Sequence, residues 1–150
     1  MRLRTATKDD LQAIVALLAD DVLGATRERL EDPLPAAYVE AFDAIERQSG
    51  NRIIVAVDDN DDVMGCLQLT LTPGLARHGM MRATIEAVRI ARNHRNTGLG
   101  EQMFRFAIDE AKKAGCGLVQ LTTDRTRPDA HRFYERLGFE PSHIGMKLNL

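Results

Sequence analysis

The stretch from Glu86 to Gly100, EAVRIARNHRNTGLG, places the strongest constraint on how this chain can fold. An apolar extended run leads into a basic turn that contains Gly98, and a helical pattern starts at Leu99. The first backbone N–H groups of a helix have no internal partners, and the helix dipole favours negative charge at that end. Because glycines also let a phosphate approach the backbone closely, the stretch predicts a strand, an anion-binding turn and a helix in succession.

The composition predicts one globular domain that spans residues 1–150. The chain is 44% hydrophobic and 28% charged, which is typical of a soluble protein large enough to bury a core. Its net charge of −2 argues against a nucleic-acid partner. No apolar run reaches the roughly 20 residues that a membrane span needs, and the N-terminus lacks a signal-peptide pattern. We therefore expect a cytoplasmic protein with no membrane partner.

Hydrophobic periodicity predicts a single α/β domain with the element order β-α-α-β-β-β-α-β-α-β, in which helices flank a mixed, mostly antiparallel sheet. Thr7 is expected to cap the first helix, which runs through Leu11 to Val22. The acidic tract 58–62 is expected to be a solvated hairpin turn. The predicted strands lie at 2–6, 52–57, 63–72, 81–91 and 118–121, with a last strand that contains Ile144, Met146, Leu148 and Leu150.

In the strand at 81–91, alternation places the even-numbered residues on one face. Glu86 is then expected on the side of Val88 and Ile90, unless a bulge intervenes. Both faces carry apolar residues, which is typical of a strand that is covered on both sides. The exposed last strand could pair with a second copy, so a homodimer is slightly favoured.

Two motifs resemble those of the GNAT superfamily of acyl-CoA-dependent N-acyltransferases. The segment 95–100, RNTGLG, fits the family's Arg/Gln-x-x-Gly-x-Gly/Ala loop, and the segment 130–139, AHRFYERLGF, fits its A-x-x-F-Y-x-x-x-G-F signature. Two positions depart from the family pattern. Asn96 directly follows the loop arginine, where the family often has glycine, and Arg127 stands where it often has asparagine.

The resemblance implies acetyl-CoA as co-substrate, a small-molecule or peptide amine as acceptor, and no metal. In the family, the N–H groups and the arginine of the loop hold the pyrophosphate. The pantetheine arm pairs with the central strand, at the place where a bulge separates this strand from the neighbouring one. Arg92 is a further candidate for the added charge. Carried onto this sequence, the cofactor-binding residues are Val88, Arg89, Ile90, Arg95, Asn96, Thr97, Gly98, Leu99 and Gly100.

The same resemblance implies that Tyr134 is the general acid that protonates the departing thiolate. An acceptor amine with a pKa of about 10.4 is protonated at pH 7, so a general base is also needed. Glu86 is the candidate base. A structural ion pair of Glu86 with Arg82 or Arg89, and simple packing of Tyr134 against Phe133, are the alternatives.

Three functions fit the sequence to different extents. The preferred one is an N-acetyltransferase that moves the acetyl group to a primary amine by direct attack in a ternary complex. A non-catalytic acetyl-CoA-binding sensor or interaction module is the alternative, and the candidates Tyr134 and Glu86 argue against it. A nucleotide-binding protein is disfavoured because both usual phosphate-loop fingerprints are missing. Carboxylates between residues 20 and 32 give a weak indication of a cationic acceptor.

Overall fold

A five-stranded sheet with the order β1-β2-β3-β4-β5 carries the fold in the computed structural model, which describes residues 1–20, 24–124 and 128–150. The strands are β1 Arg2–Thr5, β2 Asn51–Val57, β3 Val63–Thr72, β4 Arg82–Ile90 and β5 Leu118–Gln120. The helices of nine or more residues are α1 Leu11–Ala19, α2 Ala36–Arg47, α3 Leu99–Lys113 and α4 Pro128–Arg136, and a single helical turn lies at Ala76–Gly79. Strands β1 to β4 pair antiparallel, and β5 pairs parallel to β4. The predicted α/β domain with a mixed, mostly antiparallel sheet is confirmed.

Each face of the sheet is covered by a different pair of helices. On one face, α3 packs its apolar side through Met103 and Phe104, and Phe133 and Tyr134 of α4 pack beside them. We call this the α3/α4 face. On the other face, α1 contributes Leu11, Ile14 and Leu17, and α2 contributes Phe42. We call this the α1/α2 face. No helix in the described ranges is long and apolar enough to cross a membrane.

The start of α1 is fixed by a buried carboxylate. Asp10 accepts two hydrogen bonds from the Arg4 guanidinium, at 2.7 and 2.8 Å, and one from the backbone N–H of Thr7 at 2.7 Å. Thr7 is the N-terminal cap of the helical turn Lys8–Asp10, which leads directly into α1. Thr7 therefore caps the short helical turn before α1, and Asp10 is the residue that directly precedes α1. The Arg4 contact ties this helix start to β1. Hydrogen bonds from Arg4 hold the pKa of Asp10 below its usual value.

The hairpin of β2 and β3 forms as predicted. Its turn is held by the Asp58 carboxylate, which accepts hydrogen bonds from the backbone N–H groups of Asn60 and Asp62 at 2.8 and 2.9 Å. The exposed acidic tract is therefore an ordinary solvated turn, in agreement with the sequence prediction.

The prediction of a last strand at the C-terminus is wrong for the single chain. Residues 141–150 form no ladder with any described strand, and every residue in this range is exposed. The alternation of apolar residues is present, but a strand also needs a neighbour that satisfies its backbone N–H and C=O groups. Two other expectations, the helical position of Val22 and the departure at Arg127, lie outside the described residues.

We predict that Asp10→Asn lowers the free energy of unfolding at pH 7 by about 2 kcal/mol, because it breaks a buried charged hydrogen-bond pair. A carboxylate with a lowered folded pKa contributes fully above its unfolded pKa of about 3.9, and the contribution is lost as the pH falls through the folded pKa. The difference between wild type and variant should therefore shrink at pH 3, as measured by urea unfolding.

Asp43→Asn is the matched control, because Asp43 forms an exposed ion pair with Lys8. It should change stability by less than about 1 kcal/mol. An equal loss for Asp10→Asn at pH 7 and pH 3 would show that the Asp10 charge does not stabilise the fold.

Candidate functional site

A bulge interrupts β4 at Ala87 and Val88. Cys66 pairs with Arg89 and Gln68 pairs with Glu86, so two residues of β4 lie opposite the single residue Leu67. Ala87 has a positive φ of 52°, which costs free energy in any residue with a Cβ atom.

The bulge corrects the expected placement of Glu86. Ile85 packs on the α3/α4 face before the bulge, and Val88 and Ile90 pack on that same face after it. Glu86 pairs with Gln68, which lines a cavity on the α1/α2 face, so Glu86 lies on the face opposite to Val88 and Ile90. The extra residue shifts the two-residue alternation by one position.

β4 separates from β5 before it reaches the bulge. The two strands pair only from Arg82 opposite Leu118 to Thr84 opposite Gln120, where the side-chain amide of Gln120 donates a hydrogen bond to the Thr84 hydroxyl at 3.2 Å. From Ile85 to Ile90, β4 has no described strand beside it on this side. An extended group with amides could therefore pair with β4 as an added strand.

The basic turn ends at the N-terminus of α3. Gly98 is the residue that caps this helix, with φ 86° and ψ −3°, and Asn96 also has a positive φ of 62°. A Cβ atom built on Gly98 meets no atom within 4 Å, so the space beside it is open. A Cβ atom on Gly100 would lie 3.8 Å from Phe133 and 3.9 Å from Ile90, so the helix start packs against both β4 and α4.

The two arginines of this turn are held by Asp20, which sequence reasoning did not assign to the site. The Asp20 carboxylate lies 2.7 Å from Nε of Arg92 and 2.9 Å from Nη2 of Arg95. Arg95 also donates to the carbonyl oxygen of Ile90 at 3.0 Å. Asp20 directly follows α1 and lies 75 positions before Arg95, so no local sequence pattern could have revealed the contact.

Tyr134 lies in a cluster of four aromatic rings on the α3/α4 face. Its ring centroid is 5.5 Å from those of Phe104 and Phe133 and 6.2 Å from that of Phe139. The side chain is half-buried. Tyr134 therefore packs against Phe133, as one of the two interpretations of the sequence expects. The same contacts hold its ring on the side of the sheet where the turn meets α4.

Glu86 is exposed on the α1/α2 face. Within residues 1–20, 24–124 and 128–150, no ion pair or side-chain hydrogen bond of Glu86 is observed, so neither Arg82 nor Arg89 neutralises it. Tyr134 and Glu86 thus lie on opposite faces of the sheet, and the opening beside the bulge lies between these faces.

An apolar cavity of about 140 Å³ lies on the α1/α2 face next to the bulge. Gln68 and Ala87 line its sheet side. Its other lining residues come mainly from the two helices and the middle strands: Leu11, Ile14, Val15, Leu18, Tyr38, Ala41, Phe42, Ile45, Ile53, Cys66 and Leu67.

Three of the described carboxylates between residues 20 and 32 are engaged within the chain. Glu28 accepts a hydrogen bond from the Tyr38 hydroxyl at 2.7 Å, and Glu31 pairs with Arg29. Asp20 is engaged by the two arginines of the turn. Asp21 lies outside the described residues, and the weak indication of a cationic acceptor stays a prediction.

Cys66 is packed in the core on the α1/α2 face. It is buried, and burial raises the pKa of its thiol to about 12, so the thiolate nucleophile is absent at neutral pH. Cys116 is half-buried, and its thiol pKa is also raised by burial. In the described part of the chain, no three His, Cys, Asp or Glu side chains are grouped to hold a metal ion.

Comparison with known proteins agrees with this geometry. Residues 13–139 match the family model described as the acetyltransferase (GNAT) family. An aminoalkylphosphonate N-acetyltransferase of Salmonella typhimurium is 30% identical over 143 residues, which cover 95% of this chain and 86% of that protein. An acetyltransferase of Agrobacterium fabrum is 30% identical over 79% of this chain and 80% of its own length.

Among solved structures, a Bacillus halodurans protein described as a transcriptional regulator superposes with a TM-score of 0.96. It is 50% identical in sequence, and the match covers 99% of both chains. The expected family is thus confirmed over nearly the whole chain by sequence and by fold. The chain belongs to the GNAT acetyltransferase family, and it is an acetyltransferase.

Proposed function

We propose that this protein transfers the acetyl group of acetyl-CoA directly to the primary amine of a small molecule while both substrates are bound. The observation that carries the proposal is the opening between β4 and β5 beside the N-terminus of α3. It joins an unpaired strand edge to a helix N-terminus, and these two features match the amide-rich arm and the diphosphate of CoA.

The diphosphate would lie over the N–H groups of residues 96–100. Gly98 supports this placement, because its left-handed backbone opens the turn and no side chain fills the space beside it. Arg92 and Arg95 add two positive charges, and Asp20 removes one. The turn therefore keeps a net positive charge, while Asp20 holds both guanidinium groups at the edge of the anion site.

The pantetheine arm would pair with β4 along Val88, Arg89 and Ile90, where the strand has no described neighbour on the β5 side. Its amide groups would satisfy backbone N–H and C=O groups of β4, as an added strand does. The thioester would then reach the bulge, where a backbone N–H near Val88 can stabilise negative charge that develops on the carbonyl oxygen.

The reaction needs a base for the amine and an acid for the thiolate. Glu86 takes a proton from the ammonium group of the acceptor, directly or through water. The nitrogen lone pair then forms the new C–N bond at the thioester carbon, and the C–S bond breaks. Tyr134 donates its proton to the departing sulfur, and the second proton of the amine restores the tyrosine through solvent. The products are an amide and CoA.

The opposite locations of Glu86 and Tyr134 support this division of roles. Glu86 lies on the α1/α2 face, beside the apolar cavity, so the amine would arrive from that side. Tyr134 lies on the α3/α4 face, where the turn and α4 meet. A relative that covers most of this chain is named for a small amine, an aminoalkylphosphonate, and this favours a small-molecule acceptor over a peptide.

The non-catalytic alternative is a protein that binds acetyl-CoA and acts as a sensor. The Bacillus halodurans relative, described as a transcriptional regulator, gives this alternative a specific basis. A panel of small primary amines, with CoA release as the readout, separates the two functions. Turnover on a member of the panel supports catalysis, and tight acetyl-CoA binding without CoA release on any amine would support the sensor.

We predict that Gly98→Val weakens acetyl-CoA binding at least tenfold, as measured by isothermal titration calorimetry, because the branched side chain fills the open anion site and disfavours the positive φ. Gly115→Val is the matched control. Gly115 lies just past the other end of α3 with φ 82° and equally open surroundings. Both variants should lose similar stability, and only Gly98→Val should lose affinity. Equal acetyl-CoA affinity in the two variants would contradict this placement of the diphosphate.

We predict that Tyr134→Phe lowers kcat by about 100-fold or more, because a general acid typically contributes 10²–10⁴-fold. The dissociation constant of acetyl-CoA should change less than twofold, since the ring and its aromatic contacts remain. Steady-state kinetics and calorimetry measure the two quantities. A variant with wild-type kcat would remove Tyr134 from the chemistry and leave it a packing residue.

We predict that Glu86→Gln lowers kcat/KM for the amine by about 100-fold near pH 7 and makes the pH–rate profile steeper, because the reaction then depends on the small fraction of free amine. Thr84→Ala is a control two positions earlier on the same strand. It removes the hydroxyl that accepts one hydrogen bond from the Gln120 side chain, and it leaves the proposed base in place. An unchanged pH profile for Glu86→Gln would exclude Glu86 as the base.

A further inference from the structure

The apolar cavity of about 140 Å³ on the α1/α2 face opens beside the bulge of β4. Its deep side is buried, since Ile14, Phe42 and Cys66 are among the residues that line it. Ala41 of α2 and Ala87 of the bulge also line it, and both residues are exposed. The cavity is therefore a pocket that opens to solvent at the bulge, where the thioester would lie.

The polar atoms in the lining of this cavity are nearly all engaged. The Tyr38 hydroxyl donates to the Glu28 carboxylate at 2.7 Å and accepts from the backbone N–H of Arg29 at 2.9 Å, so Tyr38 offers only its ring. The buried Cys66 thiol donates to the carbonyl oxygen of Ala87 at 3.8 Å. Among the described residues that line the cavity, none carries a charge. A charged group placed there would lose its hydration without gaining a partner.

Gln68 supplies the one side-chain acceptor of this lining that remains open. Its Nε2 donates to Oδ1 of Asn51 at 3.0 Å, and the Thr70 hydroxyl donates to the same oxygen at 3.2 Å. Asn51 in turn donates to Gln48 at 2.9 Å, so a chain of amides fixes the orientation of Gln68. In the part of the chain that the structure describes, no group donates to Oε1 of Gln68.

Glu86 lies directly opposite Gln68 in the ladder between β3 and β4. Cβ atoms of such opposed residues are about 4.5–5.5 Å apart. One ammonium group has three N–H donors and can therefore reach both the carboxylate of Glu86 and Oε1 of Gln68. An amine held in this way lies at the border between the exposed base and the apolar cavity.

We propose that the acceptor is a primary amine with one uncharged apolar group, a phenyl ring or a branched alkyl chain, and that this group fills the apolar cavity. The ammonium group donates to Glu86 and to Gln68, and the apolar group enters past Ala87. Gln68 is then a residue that determines specificity, because it orients the amine without taking its proton. This inference rests on the proposed function, since it takes Glu86 as the base.

The volume of the cavity agrees with a group of this size. An apolar cavity of about 150 Å³ in another protein holds one molecule of benzene. In an apolar pocket, a single methylene group changes kcat/KM by about 10–200-fold. A complete ring should therefore change the specificity for an amine by at least tenfold.

The same lining argues against the acceptor for which the Salmonella typhimurium relative is named. A phosphonate is negatively charged, and the described lining of the cavity has no cation that could balance this charge. We therefore expect this chain to select an amine with a different substituent, although the two proteins are 30% identical.

Steady-state kinetics of the intact protein test the substrate class, with acetyl-CoA as donor and CoA release as the readout. The three acceptors are 2-phenylethylamine, ethylamine and 2-aminoethylphosphonate, which share a primary amine on a two-carbon chain. kcat/KM should be at least tenfold higher for 2-phenylethylamine than for either of the others. An equal or lower kcat/KM for 2-phenylethylamine would overturn the proposal.

Two variants that narrow the cavity test where the apolar group binds. Ala41→Phe fills it from an exposed position on α2, and Leu18→Trp fills it from α1. Each should lower the ratio of kcat/KM for 2-phenylethylamine to that for ethylamine by at least tenfold. Ala44→Phe is the matched control, because Ala44 is exposed on α2 and is not among the lining residues, and it should keep the wild-type ratio.

Circular dichroism verifies that the narrowed variants are folded, and Ala41→Phe decides the test by itself if Leu18→Trp is not folded. A wild-type ratio in every folded narrowed variant would remove the apolar group from this cavity. If Ala41→Phe lowers turnover with hexanoyl-CoA and leaves the amine ratio unchanged, the cavity holds the acyl chain and the proposal is wrong.

Gln68→Met tests the second contact of the ammonium group, because methionine keeps the length of the side chain and removes the carbonyl oxygen. The KM for 2-phenylethylamine should rise at least tenfold, and the dissociation constant of acetyl-CoA should change less than twofold. Gln120→Met makes the same change in β5, outside the described lining, and should leave this KM within threefold. An unchanged KM in Gln68→Met would exclude Gln68 from the acceptor site.

Calorimetric titration of 2-phenylethylamine into the protein saturated with CoA separates this inference from the proposed function. If ethylamine is acetylated and the phenyl group brings no advantage, the proposed function holds and the inference fails. If none of the three amines is acetylated, the proposed function fails. Binding of 2-phenylethylamine that Ala41→Phe weakens at least tenfold would then still assign the cavity to an apolar amine, and binding that Ala41→Phe leaves unchanged would overturn this assignment.

Discussion

The bulge in β4 is the constraint on which the rest of the site depends. Two residues, Ala87 and Val88, occupy the space opposite Leu67, and the positive φ of Ala87 costs on the order of 1 kcal/mol or more. Close packing around the bulge offsets this strain. Gly65 allows the approach of β3 and β4, because a Cβ atom there would lie 3.0 Å from the carbonyl oxygen of Arg89 and 2.9 Å from Ile90. The bulge lies within the stretch from Ile85 to Ile90, which has no described strand beside it on the β5 side.

The bulge also decides which side chains meet. It moves Glu86 to the α1/α2 face and keeps Val88 and Ile90 on the α3/α4 face. Base and acid candidates can therefore approach one thioester from the two sides of the sheet. A regular strand would have placed Glu86 on the same face as Val88, under the helices that carry Tyr134.

Asp20 connects the two halves of the site. It follows α1, whose apolar side lines part of the cavity on the α1/α2 face, and it holds Arg92 and Arg95 of the turn. One carboxylate thus fixes the position of two mobile cationic side chains. Because the ion pairs are partly exposed, each is worth little by itself, and their value lies in orientation more than in stability.

The sequence by itself determined the elements and the family. Period-two and period-3.6 patterns located the five strands and the four longer helices of the described domain, and they also predicted a last strand that does not form. Such patterns show which residues can be buried on one face, and they do not show what covers that face. The turn at 95–100 was identified from local chemistry, because a glycine with positive φ at a helix N-terminus is a local property. Tertiary structure decided what local patterns cannot encode: the one-residue shift at Ala87, the reach of Asp20 to the turn, and the lack of a described strand paired with residues 141–150. Each of these depends on which distant backbone lies beside a given residue, and strand pairing and ion pairs form between parts of the chain that only folding brings together.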